Sequence, residues 1–165
     1  MSIKEQLTLE QWKAVFNSPA ASAAYAASAS GGVWEFIHEM FAAGKFIALA
    51  GEGTAPGAYG PLVDALLAEM SSMTRDEIVN TTISFEHNTQ QDLRPLMRQL
   101  VADAVTATAQ MDGAAAYCRW LLEAAHQAVE ASRGGFLGIG AHTQPIDDRE
   151  QAALVELGLI LGISS

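Results

Sequence analysis

At 165 residues, half of them apolar, the chain is long enough to bury a core within one domain. It holds 9 Lys and Arg against 19 Asp and Glu, a formal net charge of −10; this argues against nucleic acid as a partner, because displacing phosphate counterions needs basic surface. No apolar run reaches the roughly 18 residues of a membrane span, so no membrane insertion is expected, and the start MSIKEQLTLEQ lacks the apolar segment of a signal peptide.

Thr8 and Gln11 form a capping box that opens a short helix through Trp12, Val15 and Phe16. Ser18-Pro19 reads as a cap followed by proline at the first helical position, starting a second helix over AASAAYAASAS. That run is nearly all small residues, so it can lie close against a neighbour, with Tyr25 as its one large anchor. Gly31-Gly32 ends it. Val33, Phe36, Ile37, Met40 and Phe41 then mark one face of a further helix.

KFIALA leads into GEGTAPGAYG, a loop with four glycines and a proline. Its glycines at 51, 53 and 57 do not give G-x-G-x-x-G, and no lysine stands where a P-loop needs one. A helix end running into a loop explains it better than a phosphate cradle. Pro61 opens the next helix, with core positions Leu62, Val63, Leu66, Leu67 and Met70. Thr74 and Glu77 start another turn through a capping box. Residues 78–85 are β-branched, but a lone strand has nothing to pair with, so a helix end and loop are expected there.

Asp92 is the expected N-cap of a long helix, with Pro95 in its first turn. Leu93, Leu96, Met97, Leu100, Val101, Ala104 and Met111 give that helix its buried stripe, and Arg94, Arg98, Gln99 and Asp103 take the outer side. Asp112-Gly113 ends it, with Asp112 capping the next helix. There Tyr117, Leu121, Leu122, Ala125, Ala128 and Val129 lie opposite Arg119, Glu123, Gln127 and Glu130. The short connection makes the two helices antiparallel neighbours. Cys118 sits mid-helix and reads as packing. As the only cysteine it excludes an internal disulfide, and the cytoplasm is the expected setting.

RGGFLGIGAHTQPIDD follows, a long loop with Phe136, Leu137 and Ile139 tucked back onto the core. Asp147 caps the closing helix, Glu150 completes its capping box, and Leu154, Leu157 and Leu161 form its buried stripe. The sum is an all-α single domain of six or seven helices. A helix, glycine-rich loop and helix occur around 51–60 and again around 134–147, the pattern of an internal pseudo-duplication.

Two Glu-x-x-His spacings, Glu35 with His38 and Glu123 with His126, match the di-iron bundle motif. Helical geometry turns both pairs toward water, away from the inward position such ligands need. No nucleophile and base can be paired, so no catalytic residue is expected.

HQAVEASRGG, followed by PIDDREQAALVELGLILGIS, resembles the signature of TerB-like proteins of bacterial tellurite-resistance and stress operons. In that family a helix ends at an acidic-glycine turn, followed by a short acidic cap, a glutamate and a helix closing in Leu-Gly. Asp147, Asp148, Glu150, Ala153, Leu154, Leu157, Leu161 and Gly162 match. Ser132-Arg133-Gly134 departs from the family's turn, and FLGIGAHTQP lengthens the loop. The resemblance implies an all-α, internally duplicated fold with acidic surfaces and metal binding.

On that basis Asp147, Asp148 and Glu150, with Glu52 brought near by the pseudo-symmetry, form a candidate site for Ca²⁺ or Mg²⁺. Capping accounts for the same residues and is the preferred explanation: Asp147 and Glu150 as the box, Asp148 through the helix dipole. No other cofactor is expected. The expected function is that of a non-enzymatic TerB-like stress protein that binds a protein partner or divalent cation. The alternatives are a metal-dependent enzyme using Glu, His and Asp side chains, and a homo-oligomeric helical scaffold.

Overall fold

The computed structural model describes residues 1–30, 55–84, 90–133 and 146–163. The protein is all-α. After a 3-10 turn at Lys4–Gln6, the described residues form six helices: α1 (Leu9–Ala27), α2 (Gly60–Ser72), α3 (Arg75–Thr81), α4 (Gln90–Thr108), α5 (Ala114–Arg133) and α6 (Asp148–Ile160). The expected helix over 33–41, its Gly31-Gly32 break, the loop residues 51–54 and 134–145, and with them the internal echo, lie outside the described residues.

α1 is the axis of the fold. α4 and α5 pack along it, and α6 and α3 also touch it. Every residue from Ala14 to Ala27 is buried, so this helix shows no apolar stripe because it has no water-facing side. Its alanines carry little side-chain bulk, which lets the flanking helices approach closely. Trp12 and Phe16, with ring centroids 5.8 Å apart, are buried together near its start.

The two helices expected on either side of Ser18-Pro19 are one continuous helix. Pro19 has no N–H for the Val15 carbonyl one turn back. Ser18 supplies the substitute, its hydroxyl donating to that carbonyl at 2.7 Å. The Thr8–Gln11 capping box forms as expected. Asn17, also buried, ties α1 to the exit of α3. Its Nδ2 donates to the Thr81 carbonyl at 2.9 Å and its Oδ1 accepts from the Ile83 N–H at 3.2 Å.

α2 begins with Pro61 in its first turn and buries Leu62, Val63, Leu66 and Met70, while Leu67 is half-buried. α3 opens on the Thr74–Glu77 capping box and ends at Thr81, so 78–84 are helix end and loop as expected. α4 starts two residues before Asp92, which is therefore inside the helix and not its N-cap; Pro95 lies beyond the first turn. Its stripe holds at Leu93, Met97, Val101 and Ala104, but Leu96 is exposed.

α4 and α5 meet each other only slightly, since each packs mainly on α1. The turn between them depends on Gly113, which has φ +90° and occupies the N-cap position expected of Asp112, its carbonyl accepting from the Tyr117 N–H. A side chain there would also come within 3.2 Å of Leu62 in α2. α5 buries Tyr117, Cys118, Trp120, Leu121, Ala125 and Val129 and exposes Arg119, Glu123, Gln127 and Glu130.

α6 begins with the expected Asp147–Glu150 capping box and buries Leu154, Leu157 and Leu161. It closes in a Schellman motif: Ile163 N–H bonds to Gly158 O and Gly162 N–H to Leu159 O, with Gly162 at φ +67°. This is the physical content of the terminal Leu-Gly pair. Among the described residues, no helix is long and apolar enough to cross a membrane.

Candidate functional site

Cationic side chains are scarce in this chain, and two of the nine stand one turn apart on α4, at Arg94 and Arg98. Across from them lies Tyr25, near the end of α1 and 3% exposed. The Arg94 guanidinium carbon sits 4.6 Å from the centre of the Tyr25 ring, a cation–π contact. Glu156 of α6 completes the group. Its carboxylate lies beside the Tyr25 phenol, and its Oε1 lies 3.5 Å from Arg98 Nη1.

These residues, with Pro95, Gln99 and Ala102, line a cleft of about 640 Å³. Burial pushes the Tyr25 phenol up to about 12, and the neighbouring Glu156 carboxylate adds to this, while Arg94 and Arg98 oppose it. Tyr25 is therefore a hydrogen-bond donor at neutral pH, not a base.

Arg94 was expected on the outer side of α4. Instead its guanidinium lies over the Tyr25 ring of α1, and its buried Nε has no acceptor. Buried donors are nearly always paired, so each exception calls for an explanation. Trp12 Nε1 and Ser22 Oγ are the other such atoms among the described residues. Of the three residues, Arg94 lines this cleft. The sequence signal for the site was Tyr25 as the only large side chain in a small-residue run.

The acids proposed to bind a cation are arranged differently. Asp147 Oδ1 accepts the Arg149 N–H at 2.6 Å, and Glu150 Oε2 accepts the Asp147 N–H at 3.3 Å. Asp148 is exposed in the first turn of α6, and Glu52 lies outside the described residues. Among the described residues, no three His, Cys, Asp or Glu side chains come together in a way that could hold a metal.

Of the Glu-x-x-His pairs, Glu35 and His38 lie outside the described residues. Glu123 is exposed and accepts from Gln127, while His126 is half-buried. Cys118 is buried, and burial pushes its thiol up, away from the reactive thiolate. At the end of the glycine-rich loop, the Gly57 N–H donates to Asp64 at 2.9 Å, so a carboxylate of the chain already takes that donor.

No family model, curated protein or solved structure matches the chain.

Proposed function

We propose that this is a helical binding protein whose recognised group is an anion, held in the cleft between α1, α4 and α6. The observation that carries this reading is Arg94: a guanidinium held over the Tyr25 ring, lining a cleft, with a buried Nε that has no acceptor. A planar guanidinium fork matches carboxylate and phosphate oxygens, and Arg98 adds a second cation one turn away. Two arginines against Glu156 leave the cleft with a formal charge of 2 − 1 = +1, inside a chain of net −10. A ligand of low charge suits that balance, because a polyanion would meet the repulsion of the whole molecule.

Binding without turnover is the simplest use of this group, since Tyr25 keeps its proton and no nucleophile lines the cleft. A TerB-like role in a cytoplasmic stress response, resting on the C-terminal residues and the lone cysteine, is compatible with it. The cation alternative has less support, because two of its carboxylates already accept backbone N–H groups.

The test is a titration of isotope-labelled protein with acetate, sulfate and phosphate, following the arginine Nε–H signals. Anion addition should shift Arg94 and Arg98. Arg94→Lys, which keeps the charge but loses the fork, should weaken binding roughly tenfold or more, as expected for a lost charge-assisted contact. If no anion moves either signal, the cleft is not an anion site.

A further inference from the structure

We infer that Glu156 is a resident carboxylate, occupying the cleft's donors in the free protein and exchanged for the carboxylate of a ligand when one binds. The inference rests on the anion reading of the cleft and names the ligand class and its regulation. Glu156 arrives from α6, pairs with the Arg98 guanidinium of α4 at 3.5 Å, and lines the same cleft as the Tyr25 phenol of α1. The chain's own side chain thus sets a planar, singly charged carboxylate among the cleft's donors.

The hold on Glu156 is breakable. Its contact with Arg98 is long, at 3.5 Å, and the two side chains are 43% and 58% exposed, the setting in which ion pairs contribute little. Arg94 meanwhile makes no ion pair among the described residues. An incoming carboxylate can therefore place one oxygen on Arg98, beside the Tyr25 hydroxyl, and the other on Arg94. Glu156 then swings into solvent with its charge hydrated. A ligand that must displace an internal competitor binds with an affinity reduced by the fraction of protein in which the site is open. A phosphate dianion would bring a second charge that the net −10 of the chain does not favour.

The experiment titrates acetate, benzoate and inorganic phosphate into the wild-type protein and Glu156→Gln, following the arginine Nε–H signals. Glutamine keeps the shape but removes the competing charge. Carboxylate binding should tighten on the order of tenfold, the ratio for a site open about one tenth of the time. In the wild type, saturating acetate should also move the Glu156 carboxyl carbon signal to the position of a solvated glutamate, a readout that needs no variant. Equal or weaker carboxylate binding in Glu156→Gln overturns the inference and leaves the anion site standing. Phosphate binding more tightly than acetate, with no response to the substitution, overturns it as well. Failure of all three anions to bind either protein removes both readings together.

Discussion

Tyr117 Oη and Ser18 Oγ lie 2.6 Å apart in the middle of the core, where both residues are fully buried. Ser18 has one proton and gives it to the Val15 carbonyl, so Tyr117 is the donor in this pair. A relay results: phenol to hydroxyl to the carbonyl that Pro19 leaves without a partner. Burial also pushes the Tyr117 phenol well above its usual range, which keeps that donor protonated. The relay explains how α1 passes through Pro19 unbroken while surrounded by other helices.

The two ends of the relay differ in what their loss leaves behind. Tyr117→Phe removes one hydrogen bond and should destabilise by about 1 kcal/mol. Ser18→Ala strands two buried groups, the Val15 carbonyl and the Tyr117 hydroxyl, at about 1–3 kcal/mol each. Urea melts should therefore rank Ser18→Ala as the more damaging change. The reverse order would mean that Val15 has another partner.

Position along α5 gives a second contrast. Leu121 is fully buried against α1, whereas Glu123, two residues on, is exposed. Leu121→Ala should destabilise by roughly 2–5 kcal/mol through lost contact and a residual cavity. Glu123→Ala should change stability by no more than about 0.5 kcal/mol. Equal losses in the same melts would show the helix rotated from this arrangement.

What the residues revealed beforehand divides along physical lines. α5 and α6 were legible because each has one wet face, so the apolar stripe and the cap are both written locally. The Asp147–Glu150 box needs nothing beyond its own turn. α1 was misread because a helix buried on all sides has no stripe to find. Ser18-Pro19, ordinarily a start signal, had its meaning changed by Tyr117 from 99 residues away. Arg94 was assigned to solvent by helical position alone. What overrides position is Tyr25, the one aromatic ring in the alanine-rich second half of α1, and no local rule brings the two together.

Alkaline pH should expose the tyrosines. The Tyr25 phenol is pushed from 10.0 to about 12 in the folded state, so the fold holds its proton more tightly than the unfolded chain does. The associated stability is complete below pH 10 and is lost as pH rises from there toward 12. Tyr117 is shifted in the same direction. Melting temperature should fall across this window, and less steeply in Tyr25→Phe than in the wild type. Identical slopes in the two proteins would show that Tyr25 ionises as freely as a solvated phenol.

The start of α6 separates a cap from a cation site. Ca²⁺ takes six to eight oxygens, and a useful site leaves its carboxylates free to turn toward the ion. Here Asp147 Oδ1 is held at 2.6 Å by the Arg149 N–H, and Glu150 is 3% exposed with Oε2 on the Asp147 N–H. Turning Asp147 outward would strand the Arg149 N–H, and turning Glu150 outward would strand the N–H of Asp147 itself. Asp147→Ala should therefore destabilise by about 1 kcal/mol, the usual cost of a lost N-cap. Asp148→Asn should lose roughly 0.3–1 kcal/mol of dipole interaction at low salt. Millimolar calcium should leave the melting temperature of all three proteins unchanged. A ligand present at a hundredfold excess over its dissociation constant stabilises by about 2.7 kcal/mol, so binding of that strength would be conspicuous. A calcium-dependent rise in the wild-type melt that shrinks in Asp148→Asn would show that these acids do more than cap the helix.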